Sequence, residues 1–375
     1  MKHLPFTTKL NVLCISLVAL QLTSCDKDTS DTTQQEIVDE TEIMENIYFP
    51  PVHSSEWETL SSSALDWDIS KETELKNHLE NQNTKAFIIL KKGRIVKEWY
   101  FNGFDAYKTW YWASAGKTLT AFTMGQALAQ ELVNLNDATS NYLGNGWTSL
   151  TPEQELKITI KHQLSMTTGL NETEFTCVTP TCLTFTAEAG NRWAYHNGPY
   201  TLLQEVLTKA TETDYNEFFT SQLKDKIGMD GFWLSTDEAN HVYFSTARSM
   251  ARFGLLMMNK GIWSDENLLK NESYYNAMTT TSQPWNAAYG YLWWLNGKEN
   301  YMLPGSNTLY EGPLIPTAPK DLIAALGKND QKIYVIPSQN LVIVRLGEAA
   351  NAENFALSTF DVDLWNLLSE YMQIN

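Results

Sequence analysis

From Thr118 to Gln130 the chain carries no charged residue, between Lys117 on one side and Glu131 on the other. Its composition suits a helix over Ala115 to Gln130, and a helix with no charged face has no side to turn to water. Such a helix must be enclosed, so other elements have to be layered around it. With 43% hydrophobic residues in 375, the chain has the material for one large core or two ordinary ones.

The rest of the chain alternates helix and strand patterns. Leu75 and Leu79 place one apolar face on a helix over Ser70 to Gln82. Two strands follow, Lys85 to Leu90 and Arg94 to Tyr100, joined at Lys91, Lys92 and Gly93. Strand patterns return at Tyr289 to Leu295, Leu322 to Gly327, Lys332 to Pro337 and Leu341 to Leu346, before a helix over Phe360 to Met372. Roughly residues 136–280 read as mostly helical. The expected fold class is α+β: an antiparallel sheet from both chain ends, covered by helices, with a mostly helical inserted subdomain.

The first residues read as a targeting segment. Lys2 and Lys9 precede an apolar run from Leu10 to Leu22, too short to span a membrane, which is a secretory signal pattern. It ends in Leu22, Thr23, Ser24 and Cys25, which resembles a bacterial lipobox and implies cleavage after residue 24 and lipidation of Cys25. Residues 25–46 are rich in acids and lack aromatics, so they read as a solvated tether, with the globular domain over 47–375. The expected product is an exported lipoprotein of the cell envelope, touching a membrane through its lipid only. In that oxidising setting Cys177 and Cys182 are expected to close a small disulfide loop. A formal net charge of −17 argues against nucleic acid as a partner, and no CxxC or HExxH signature suggests a metal.

Chemistry centres on the start of the uncharged helix. Ser114 and Lys117 stand one helical turn apart, so the amine can reach the hydroxyl. Burial and the positive end of the helix dipole both disfavour the ammonium there, which is what a general base requires. The same spacing also fits Ser114 as a plain N-cap with Lys117 snorkelling to water. Gly116, Lys117 and Thr118 mimic the end of a phosphate loop, but that pattern needs glycine where Tyr111 stands. A second cluster, Tyr195, His196 and Asn197, lies in a turn-rich run leading into a helix over Tyr200 to Lys209; if extended, it puts Tyr195 and Asn197 on one side. His162 and His196 read as structural, Arg248 and Arg252 as ion-pair residues. Trp285, Tyr289, Tyr291, Trp293 and Trp294 read as core before pocket.

In this order the Ser-x-x-Lys and Tyr-x-Asn boxes, with the runs QLSMTTGL (163–170), STARSMARFGLL (245–256) and YGYLWWLNG (289–297), resemble the beta-lactamase-related serine hydrolases, which include D-Ala-D-Ala peptidases and esterases. The resemblance implies a beta-lactamase/transpeptidase-like fold, no cofactor, and a small ester, amide or peptide as substrate. It further implies Ser114 as acylated nucleophile, Lys117 and Tyr195 as its proton partners, and Asn197 as a donor to substrate. By the same resemblance the backbone amides of Ser114 and Lys328 form the oxyanion hole. Where the family carries Lys-Thr-Gly or His-x-Gly, this chain has Ala325, Leu326 and Gly327, assigned to substrate binding but without the cation. That loss leads to an expected preference for neutral substrates, with Lys328 turned from the site by strand alternation. The competing expectation is a catalytically silent module of the same fold, a sensor for peptide or glycan.

Overall fold

The computed structural model describes residues 46–235, 241–350 and 357–374. The signal segment, Cys25 and almost all of the acidic tether lie outside the described residues. The uncharged run forms α2 (Lys117–Ala129), buried at every position from Lys117 to Ala127. Its enclosure comes from the middle of the chain: Gln126 donates to the Gln222 and Leu268 carbonyls, and the Tyr274 hydroxyl donates to the Ala121 carbonyl. Helix α1 spans Glu72–Asn81, followed by β1 (Thr84–Lys91), β2 (Arg94–Tyr100) and the short β3 (Trp110–Tyr111). After α2 come α3 (Asn197–Thr211), β4 (Phe232–Ser235), β5 (His241–Ser245) and α4 (Ala247–Met258). The chain closes with β6 (Trp294–Leu295), β7 (Ile323–Gly327), β8 (Gln331–Ile336), β9 (Leu341–Gly347) and α5 (Thr359–Met372).

Six strands form one antiparallel sheet in the order β2-β1-β9-β8-β7-β6, so first and last segments pair at its centre. Strands β7, β8 and β9 are buried at every position, as a sheet covered on both faces requires. Helix α5 is fastened across the sheet by Asp361, which accepts a 2.8 Å hydrogen bond from Lys332 Nζ on β8.

The middle of the chain also carries strands: β4 and β5 join β3 in a separate three-stranded antiparallel sheet, order β3-β5-β4. One expectation needs correction. The expected strand over Tyr289 to Leu295 reduces to Trp294–Leu295. Leu292 adopts φ 61°, and a side chain at Gly290 would run into the Met278 carbonyl oxygen. The aromatic residues of this run are buried because a turn packs them inward, which mimics strand alternation in sequence. Tyr289, Tyr291, Trp293 and Trp294 are core, whereas Trp285 is exposed.

Candidate active site

Strand β3 ends beside β5, with Trp112 N–H donating to the Tyr243 carbonyl and Trp112 Nε1 to Ser245 Oγ. Both bonds fix the chain just before it turns. Ala113 then takes up a left-handed conformation (φ 47°), uncommon for a residue with a Cβ, and a short 3-10 turn over Ala113–Gly116 leads into α2. This turn presents Ser114, half-buried, at the mouth of a cavity of about 240 Å³.

Lys117, in the first turn of α2, is 3% exposed, and its Nζ lies 3.1 Å from Ser114 Oγ. Snorkelling is therefore not what this lysine does. Burial pushes its pKa from 10.5 down to about 7. The faces of two tyrosines receive the amine, with Nζ 4.3 Å from the Tyr200 ring centroid and 5.2 Å from that of Tyr195. The phenol of Tyr195 is buried, which pushes its pKa up, while its hydrogen bond to the Ser114 side chain pulls the other way. Ser114, Lys117 and Tyr195 thus converge, although they come from a turn, a helix and a loop.

Asn197 is the first residue of α3 and reaches the cavity wall; its Oδ1 is buried without a hydrogen-bond partner among the described residues. His196 is buried and does not border the cavity, and burial pushes its pKa down to about 4. Strand β7 runs beside the Ser114 turn. A Cβ at Gly327 would overlap the Trp112 carbonyl oxygen, so only glycine lets the strand come this close. Ala325 and Leu326 are buried and do not border the cavity. Lys328 does border it, contrary to the alternation argument, because β7 ends at Gly327. Gly327 pairs with Gln331, so Lys328, Asn329 and Asp330 form a three-residue hairpin loop, and Asn329 and Asp330 both have positive φ.

The other walls were not singled out from sequence. Phe175 and Thr176 form one side, His241 and Val242 another, and Tyr200 the floor beneath Lys117. Tyr200 alone had a readable signal: three residues beyond Asn197 on the same helix, it shares that residue's face. No acidic side chain borders the cavity among the described residues. Cys177 and Cys182 form a disulfide with a Cα–Cα separation of 6.2 Å. Arg248 pairs with Glu98, whereas Arg252 donates to the Pro51 and Ile227 carbonyls and forms no ion pair among the described residues.

The family model described as Beta-lactamase matches residues 77–359. This chain belongs to the beta-lactamase family. No curated protein matches it. Among solved structures, a Bacillus anthracis protein assigned as a 6-aminohexanoate-dimer hydrolase superposes with a TM-score of 0.67 at 18% identity, over 88% of this chain and 90% of that one. EstCE1, described as a hydrolase with promiscuous acyltransferase activity, gives 0.59 at 11% identity, over 82% and 99%. A beta-lactamase from Mycobacterium bovis gives 0.55 at 18%, over 77% and 95%. At these identities the likeness is one of fold, and it extends the beta-lactamase family's architecture to nearly the whole described chain.

Proposed function

We propose that this beta-lactamase family member is a serine hydrolase that cleaves a small ester or amide through an acyl-enzyme on Ser114. One observation carries the reading: the Lys117 amine stands 3.1 Å from the Ser114 hydroxyl, buried, with a pKa of about 7. A lysine in that state is neutral for much of the time at pH 7 and can accept a proton. Ser114 Oγ attacks the substrate carbonyl as its proton passes to Lys117 Nζ. The oxyanion that forms is held by the backbone amides of Ser114 and Lys328. Tyr195 and Lys117 together return the proton to the leaving alcohol or amine. Water then attacks the acyl-enzyme, giving up a proton to the same pair, and releases the acid with Ser114 restored. Asn197 orients the substrate through its side-chain amide.

The N-terminal pattern supports export as a lipoprotein anchored through Cys25 as part of the same proposal. Incubation with a fluorophosphonate probe, followed by mass mapping of the adduct, tests the chemistry. Labelling confined to Ser114, lost in Ser114→Ala, is the expected result. Labelling elsewhere, or equal labelling of the variant, would overturn it.

A further inference from the structure

Four aromatic rings pack on Tyr195: Trp193 and Tyr289 at a tilt or edge-on, and two others nearly parallel to it. Trp294, a core residue of β6, stacks on it with ring centroids 6.1 Å apart and planes 16° apart. Phe175 also stacks on Tyr195 at 6.1 Å, with planes 20° apart. The two supports differ in kind. Trp294 is 3% exposed and anchored in the main sheet, whereas Phe175 is 38% exposed and sits on a loop. That loop is closed at its base by the Asn171 N–H donating to the Thr184 carbonyl and by the ion pair of Glu172 with Arg192. Its tip is closed by the Cys177–Cys182 disulfide.

The same tip presses on the next part of the site. A Cβ at Gly198 would overlap the Cys177 carbonyl oxygen, so the disulfide-bearing turn lies directly on the first turn of α3, beside Asn197. Phe175 and Thr176 also border the cavity that Ser114 opens into. A loop that served only the fold would have no need to touch Tyr195, the start of α3 and the cavity wall together.

We propose that Phe175 is a positioning residue for Tyr195, and that the Cys177–Cys182 disulfide, by holding Phe175 in place, is part of the catalytic apparatus. The inference rests on the serine hydrolase reading above. When a dithiol reduces the bond, it is itself oxidised to a disulfide and leaves two cysteine thiols, freeing the tip while the base of the loop remains closed. Tyr195 then keeps Trp193, Tyr289 and Trp294 but loses its loop-borne ring and can shift from Ser114, which lowers the rate of the chemical step more than the affinity for substrate.

The test compares kcat and KM for a p-nitrophenyl ester, with Tm measured alongside, in wild type, Phe175→Ala, Phe175→Tyr and the double variant Cys177→Ser/Cys182→Ser, each with and without dithiothreitol. The expected result is a fall in kcat of about tenfold in Phe175→Ala and in reduced wild type, with KM within about twofold. Phe175→Tyr should restore kcat, since it keeps the stacked ring. Reduction should cost Phe175→Ala nothing more, and the double variant should ignore the reductant. Two outcomes overturn the proposal: kcat unchanged in Phe175→Ala while Tm falls, or losses from reduction and from Phe175→Ala that multiply. Absence of both turnover and Ser114 labelling in oxidised wild type would defeat the hydrolase reading instead. The near-ultraviolet circular dichroism of the ring stack then decides: a change on reduction that matches Phe175→Ala supports positioning, and an unchanged spectrum overturns it.

Discussion

Replacing Lys117 with methionine should destroy activity and stabilise the fold. Lys117 has an ordinary pKa of 10.5 in an unfolded chain and about 7 in the native one, because burial disfavours its ammonium form. Between those values the unfolded state binds more protons, so this group lowers stability most at or below pH 7 and the penalty fades as pH rises towards 10.5. At pH 7 folding must strip the proton from roughly half of the molecules and strain the rest, at a cost of about 4 kcal/mol; at pH 9 the cost is about 2 kcal/mol. Methionine fills a similar unbranched shape without the charge. It forfeits the hydrogen bond to Ser114, worth about 1 kcal/mol. Net stabilisation of about 3 kcal/mol at pH 7, shrinking to about 1 kcal/mol at pH 9, is the expected difference. Urea denaturation of both proteins at the two pH values measures it, provided the slope against denaturant is shared. The buried tyrosines titrate alike in both proteins and cancel. A variant no more stable than wild type at pH 7, or a gap that does not shrink with pH, would refute the argument that Lys117 is held neutral by desolvation. Loss of at least about 100-fold in kcat/KM should accompany the gain, as removal of a general base demands.

For a neutral ester, kcat/KM should rise about tenfold per pH unit below about 7 and level off above about 8, because Lys117 must be neutral to take the Ser114 proton; the other titratable groups facing it are Tyr195 and Tyr200, with His241 and Lys328 on the cavity wall, and a flat profile from pH 6 to 8 would count against the assignment. Gly327→Ala should lower kcat/KM by about 100-fold with a smaller effect on Tm, since its methyl displaces the Trp112 carbonyl and with it the Ser114 turn. Lys328→Ala should reduce kcat/KM for a substrate carrying a carboxylate by about tenfold relative to a matched neutral one, because Lys328 borders a cavity with no acidic side chain among the described residues; an equal loss for both substrates would mean that the ammonium does not meet the substrate.

Much of this architecture is written locally. The uncharged run after Lys117 could only be an enclosed helix, and α2 is buried at every position from Lys117 to Ala127. Continuous apolar runs marked β1, β7, β8 and β9, because strands covered on both faces need no polar side. The Ser-x-x-Lys spacing brought hydroxyl and amine together by helix geometry alone. Tertiary structure decided the rest, wherever a residue's surroundings come from distant chain. Lys328 meets the cavity because β7 stops and a hairpin turns beside Ser114, which strand periodicity cannot foresee. The run from Tyr289 to Leu295 alternates like a strand but is a packed turn, since burial by neighbours leaves the same hydrophobic imprint as a sheet. Phe175 carried no signal in the sequence; the disulfide and the fold of 171–184 set its ring on Tyr195. Local periodicity reports which side of an element is buried, and it carries no information about which distant side chain lies there.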